Sequence, residues 1–260
     1  MQIYFPQKTT WLHHVNPSFK LLIMIILMIF AIFLNELNCL VYVTIGFLLP
    51  LVFFSGHPQL RVMLYSLPFL LIFISSASSL ILFGKGSTVW FHWGLVNITA
   101  EGFEVGLIVG FRALIFGILG LLFALTTRPI FLFYSLMQQL KLKPKYAYSF
   151  MAAIRLFPLM IEEFQTLRYA LKVRGTPKRR GIAGFYHKLK LYSIPLLAQS
   201  IRRAQRIAVA MEAKRFSMVK SRTYYYQMGY SRFDLWFLCY IMAVIVLAFL
   251  AAEHYPLFTA

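Results

Sequence analysis

Two short cationic clusters are the residues of this chain best suited to act on a partner. They are Ala170-Leu171-Lys172-Val173-Arg174-Gly175 and Ala210-Met211-Glu212-Ala213-Lys214-Arg215-Phe216. Each stands at or near the end of a helical pattern, where the helix dipole favours an exposed cation by roughly 0.3–1 kcal/mol. From the residues alone two readings are open. The cations could finish their helices and hold the segment on anionic lipid, or they could offer charge to a docking protein.

Catalytic chemistry has no comparable footing. A phosphate-binding loop needs G-x-x-x-x-G-K-[ST], whose glycines bring backbone N–H groups to the phosphates. The nearest fragment, Gly84-Lys85-Gly86-Ser87-Thr88, lacks the first glycine and reads as a turn. Neither H-E-x-x-H nor G-x-S-x-G occurs. The adjacent imidazoles of His13 and His14 point in different directions along a helix or strand, and no nearby Cys or carboxylate completes a metal site. Cys39 and Cys239 lie in apolar runs with no CxxC pairing and read as small packing side chains. The expectation is a non-enzymatic chain with no cofactor and no metal.

The elements that must position the two clusters follow from charge and hydropathy. Between Arg128 and Arg232 there are 21 Lys/Arg against Glu162, Glu163 and Glu212, so this stretch carries the whole net charge of +18. Elsewhere five basic and five acidic residues cancel. With 60% hydrophobic and 13% charged residues, the composition excludes an ordinary soluble domain. A membrane protein with one large basic working part is the reading.

A spanning helix takes roughly 17–25 apolar residues, and five segments qualify: Phe19–Leu34 (short), Leu37–Phe54, Leu64–Phe83, Val105–Thr126 and Leu235–Ala252. None alternates as a membrane strand must. The first is a retained helix rather than a signal peptide, because Asn35-Glu36-Leu37-Asn38 offers no small-x-small cleavage site. The fold class is therefore an all-α integral membrane protein of about five transmembrane helices, with amphipathic helices between the fourth and fifth. Residues 1–127 hold the first four spans, 128–232 the basic region, and 233–260 the last span and C-terminus. Basic residues accumulate on the cytoplasmic side of membranes. That places the N-terminus and the basic region inside the cell, leaving Lys85 as the only outer basic residue, beside Glu36, Glu101 and Glu104.

Within the basic region, Pro129–Leu140 is apolar on most faces, and Lys141-x-Lys143-x-Lys145 with Pro144 reads as a turn. Tyr148–Arg174 is a long helix with a kink expected at Pro158, stopped by Gly175 and Pro177. The basic loop Lys178-Arg179-Arg180-Gly181 follows, then a short amphipathic stretch after Gly184 and a second long helix from about Pro195 to Phe216. Ile194, Leu197, Ile201, Ala204, Ala208 and Met211 give that helix one apolar stripe, with Arg202, Arg203, Arg206 and Lys214 off it.

Small and polar residues inside the spans are candidates for packing or for contact with another membrane subunit. Gly102, Gly106 and Gly110 form one face of the fourth span, where backbones can approach closely in lipid. Ser75, Ser76, Ser78 and Ser79 play a similar part in the third. Arg112 lies within the fourth span, where a charge is costly and usually paired; Glu101 and Glu104 are the nearest acids in sequence.

Taken in order, these pieces resemble the transmembrane coupling subunit (T component) of energy-coupling factor transporters. His14-Val15-Asn16-Pro17-Ser18-Phe19-Lys20-Leu21 is similar to that family's opening His-Arg-Leu-Asp-Pro-Arg-Thr-Lys-Leu. Thr99-Ala100-Glu101-Gly102-Phe103-Glu104-Val105-Gly106 with Arg112 is similar to its Glu-Gly…Gly…Arg helix. Leu125-Thr126-Thr127-Arg128-Pro129 and Arg155-Leu156-Phe157-Pro158 match in kind. The resemblance implies two Ala-Arg-Gly-type motifs that insert into two cytoplasmic ABC-type ATPases. Carried over, they are Val173-Arg174-Gly175, with Val for Ala, and Ala213-Lys214-Arg215, with Lys for Arg and Arg for Gly. Lys keeps the charge but loses the planar fork of Arg. The resemblance further implies a small membrane subunit that captures the substrate (a vitamin, its precursor or a metal ion), membrane lipid as the surroundings, and no nucleic acid. An integral membrane enzyme or lipid-handling protein, using the basic region to bind head groups, is the alternative class.

Overall fold

A computed structural model describes residues 8–84, 86, 88–93, 96–175, 181–216 and 224–256. Pro177, the Lys178-Arg179-Arg180 loop, and Lys85 and Ser87 of the Gly84–Thr88 turn lie outside the described residues. The chain divides into two compact units, Met1–Ser135 with Met228–Ala260, and Leu136–Gln227.

The first unit is built from apolar helices. A 3-10 turn (Trp11–His13) leads into α1 (Pro17–Phe33), followed by α2 (Leu37–Phe54), α3 (Gln59–Phe83) and α4 (Ala100–Thr126). The chain then enters α5 (Pro129–Gln139), which leads into the second unit; its helices are α6 (Pro144–Val173) and α7 (Gly181–Ala213), and α8 (Arg232–His254) completes the first. By length and composition α2, α3, α4 and α8 can each cross a membrane; α1, at 17 residues, stands at the lower edge of the range. The all-α architecture has one addition that helical periodicity gave no hint of. Between α3 and α4 runs an antiparallel hairpin, β1 (Val89–Trp93) and β2 (Val96–Thr99), with Phe91 opposite Ile98 and Trp93 opposite Val96.

Local signals start the helices where the sequence allows them. Asn16 caps α1 by accepting the Ser18 N–H at 3.2 Å, and Pro17 takes the first helical position, where no N–H is needed. Thr99 caps α4 by accepting the Gly102 N–H at 3.1 Å. Ser231 and Asp234 form a capping box at the start of α8. The core gathers residues of α1, α2, α4 and α8, among them Met24, Leu27, Leu40, Phe47, Leu119 and Ile241. In lipid such contacts are held by close packing rather than by escape from water. Tyr240 on α8 fastens this packing by donating to the Gly46 carbonyl of α2 at 2.6 Å.

In the second unit α6 and α7 run antiparallel, since Tyr148 meets Phe216 edge-on (5.4 Å between ring centroids) while Glu163 is ion-paired with Arg203. One expectation is corrected here. The short stretch after Gly184 and the helix from Pro195 are one 33-residue helix that runs through Pro195. The apolar stripe is not its covered face, because Ile194, Leu197 and Ile201 are more than half exposed. Arg203, off the stripe, faces α6 through its ion pair. The partly buried Arg203–Glu163 pair, rather than the stripe, marks the face of α7 that meets α6.

Candidate functional site

The two cationic clusters end α6 and α7 in the same backbone shape. At the end of α6, Arg174 is the C-cap, its N–H donating to the Ala170 carbonyl at 3.1 Å. Gly175 follows in the left-handed region (φ 62°), its N–H donating to Lys172 O at 3.3 Å. At the end of α7, Lys214 N–H donates to Ala210 O at 3.2 Å, and Arg215 takes the left-handed place (φ 53°) with its N–H on Glu212 O at 2.8 Å. Phe216 N–H then reaches back to Met211 O at 2.9 Å, which completes a Schellman motif. Residue for residue, Val173-Arg174-Gly175 and Ala213-Lys214-Arg215 therefore superpose in role, with Arg215 holding a conformation that glycine adopts at lower cost.

All six residues are exposed, Val173 at 89%. Among the described residues, none of the cations Arg174, Lys214 and Arg215 is engaged by an acid. Phe216 packs on Tyr148, roughly 26 residues before Arg174 along α6. At a helical rise of about 1.5 Å per residue, the two ends stand roughly 40 Å apart, at opposite ends of the pair. A shallow groove of about 490 Å³ leads along α7 to the second end, lined by Arg202, Gln205, Arg206, Val209, Ala210 and Ala213. Exposed charge beside a shallow groove, with no enclosed pocket, suits docking to a protein surface.

The glycine face of α4 is buried against α3. A Cβ at Gly106 would come within 2.8 Å of Ile81 Cγ1 and 2.9 Å of the Ala77 carbonyl; one at Gly110 would be 3.1 Å from Ala77 and Phe73. Gly102 is similarly close to Leu80 O and Gly84. Ser75 and Ser79 are on the other side of α3, exposed among Leu67, Leu71 and Ile72. Only 6% of the most apolar window of α3 is buried, against 44% for α2, so α3 offers the largest uncovered apolar face.

Arg112 finds neither Glu101 nor Glu104. Its Nη2 donates to the Leu34 carbonyl at 2.6 Å and to Asn35 Oδ1 at 2.7 Å, so the guanidinium caps the C-terminal end of α1. Glu101 instead accepts from the Thr88 hydroxyl at 2.8 Å.

Sequence reasoning overlooked a buried polar junction. Asn16 Oδ1 accepts from Ser135 Oγ at 2.5 Å, its Nδ2 donates to Gly229 O at 3.1 Å, and its backbone N–H donates to Asp234 Oδ1 at 2.7 Å. Ser135 and Met228 are the points where the chain leaves and re-enters the first unit. Asn16 thus holds both crossings. Its one sequence signal was the Asn-Pro pair, which marks a helix start but not its long-range partners. Lys20 was equally hidden: it is 1% exposed, donating to Leu12 O at 3.0 Å and to Thr126 Oγ1. Burial, then the positive charges of Lys20, Arg128, His14 and His57, hold His13 below its ordinary imidazole value. Among the described residues no three His, Cys, Asp or Glu side chains gather as a metal site would need.

Fold and site together define a class: a polytopic membrane protein whose basic helical unit ends in two exposed cationic tips. A family described as cobalt transport protein (CbiQ) matches residues 8–225. A protein of Limosilactobacillus fermentum described as energy-coupling factor transporter transmembrane protein EcfT is 32% identical over 66% of this chain and 67% of its own length. Proteins with the same description from Streptococcus equi subsp. equi and Ruminiclostridium cellulolyticum are each 28% identical. The first alignment covers 94% of this chain and 93% of the relative, the second 86% of both. The chain belongs to this family, that of the transmembrane T components of energy-coupling factor transporters.

Proposed function

We propose that this chain is the non-catalytic coupling subunit of an ABC-type importer in a prokaryotic cell membrane. It links ATP hydrolysis by two cytoplasmic ATPase subunits to movement of a separate small membrane subunit that captures the substrate. Residues 1–127 and 233–260 are its membrane part, and residues 128–232, with the N-terminus, are cytoplasmic. The substrate is a vitamin, a vitamin precursor or a metal ion, chosen by the capture subunit. That subunit contacts the open side of α3 around Ser75 and Ser79, while Gly102, Gly106 and Gly110 keep α3 and α4 in close contact.

The observation that carries this reading is the pair of like-shaped, exposed, cationic helix ends standing roughly 40 Å apart on one rigid helical pair. Two copies of one kind of motor, each with an acidic groove, would receive one tip each. A chain without a nucleotide motif must draw work from partners that exist in two states, through elements rigid enough to follow them.

The test is Arg174→Glu, alone and with Lys214→Glu, in the chain co-expressed with its partners. The variants are expected to reach the membrane and to lose either co-purification with the ATPases or uptake. Wild-type yield of co-purified ATPases together with normal uptake would remove the tips from the mechanism. For orientation, Val173→Cys is expected to resist a membrane-impermeant maleimide in intact cells and to react after lysis.

A further inference from the structure

The first unit contains a cavity of about 140 Å³ where the N-terminal turn meets the ends of α4 and the first turn of α5. Thr9, His13, His14, Thr127, Arg128 and Phe131 line it, and no acid does. Two of its polar atoms have no partner in the protein. His13 Nδ1 lies 3.2 Å from the Thr10 N–H and 2.9 Å from the Thr10 hydroxyl, whose proton goes to Phe54 O at 2.6 Å. His13 Nε2 is buried with no protein partner, and so is the Thr127 hydroxyl. Buried polar atoms without a partner are rare enough in folded proteins to require an explanation.

Arg128 adds a cation to these groups, and Lys20 stands behind them. Arg128 is exposed, and its guanidinium carbon is 5.9 Å from the Phe131 ring centroid; no acid engages it among the described residues. Lys20 lies one hydroxyl behind the wall, donating to Thr126 Oγ1, whose own proton goes to Leu122 O at 2.5 Å. Among the described residues Lys20 has no acidic partner. The 11-residue α5 begins at Pro129, so its positive dipole end is part of the same region.

The Arg128 guanidinium, the start of α5 and two unpartnered polar atoms, with no carboxylate in the lining among the described residues, suit a ligand that brings anionic oxygens. At about 140 Å³ the cavity has room for a small polar group and accompanying water. A single tetrahedral oxyanion fits this space. We propose that this cavity binds a single phosphate group. The group is either the phosphodiester of an anionic lipid at the ends of α1 and α4 or free inorganic phosphate. A phosphate there would join Arg128, His13 and Thr127, and so tie the N-terminal turn to the α4–α5 corner.

The experiment follows thermal unfolding of the full-length chain in a neutral detergent. It is titrated with sodium phosphate, with short-chain phosphatidylglycerol, and with sodium chloride at matched ionic strength. A saturable rise in Tm with either phosphate probe, absent with chloride, is expected. Saturation by the lipid alone assigns a head group, and saturation by sodium phosphate alone assigns the free ion. Arg128→Gln, at an exposed position, is expected to keep the unliganded Tm and weaken the apparent affinity at least tenfold. Thr127→Val is expected to weaken it by a smaller factor. No saturable response to either probe beyond that of chloride overturns the proposal, as does wild-type affinity in Arg128→Gln.

Discussion

Replacing Asn16 with alanine tests whether the buried polar junction holds the first unit together at the points where the chain leaves and returns. Four side-chain bonds disappear: the cap on Ser18 N–H at 3.2 Å, the acceptor for Ser135 Oγ at 2.5 Å, a long contact from Ser18 Oγ at 3.5 Å that adds little, and the donor to Gly229 O at 3.1 Å. Loss of a helix N-cap costs about 1 kcal/mol. Ser135 is fully buried but keeps Ser18 Oγ as a partner, so its loss is set at about 1 kcal/mol rather than the full cost of an orphan. Gly229 is exposed and its carbonyl can turn to water, which adds about 0.5 kcal/mol at most. The backbone bond from Asn16 N–H to Asp234 Oδ1 at 2.7 Å survives the change. The sum is about 2–3 kcal/mol, which the scaling for chains of this size turns into a Tm lower by about 5–10 °C. The assay is thermal unfolding in detergent, with Ser135→Ala and the double variant measured alongside. The cycle is expected to show a coupling of about 0.5–1 kcal/mol, as for groups in one network. A Tm within 1 °C of wild type, or strict additivity of the two changes, would refute the reasoning.

Three further outcomes are expected. Arg215→Gly relieves a left-handed residue at φ 53°, worth about 1 kcal/mol. Hydrogen exchange of the Arg215 and Phe216 amides should slow by about fivefold, and unchanged exchange would deny the strain. Gly106→Leu drives a side chain into Ile81 and the Ala77 carbonyl, at a cost of about 1–3 kcal/mol. Ser75→Leu, on the exposed side of α3, should leave Tm unchanged, and equal effects of the two would contradict the packing. Because burial and neighbouring cations hold His13 below its ordinary value of 6.5, the unfolded chain takes up that proton first as pH falls. Stability should therefore decline as pH drops below about 6.5. The Tm difference between pH 7.5 and pH 5.5 should shrink in His13→Gln, and an unchanged difference would exonerate this residue.

The local grammar of the chain was legible residue by residue. Solid apolar runs placed the spans within a few residues of α1, α2, α3, α4 and α8, because membrane helices satisfy their backbone internally and need only length and apolarity. Gly175 marked the end of α6, since the left-handed turn there suits a residue without Cβ. The same signal was missing at the end of α7, where Arg215 takes that conformation, so the resemblance paired the two tips and the backbone supplied their common shape.

What the sequence determined by itself was the inventory: apolar spans, a basic unit between the last two of them, and two cationic helix ends. Tertiary structure alone decided who meets whom. It buried Lys20 against Leu12 and Thr126, turned Arg112 to the end of α1 instead of to an acid, and gave Asn16 both chain crossings. It also exposed the apolar stripe of α7 and set Arg203 on Glu163. The physical reason is that helix periodicity is a local property of neighbouring residues, whereas the covered face depends on groups far away in sequence. In a bilayer the face toward lipid and the face toward protein are both apolar, so hydropathy cannot separate them. Only the geometry of the packed helices does.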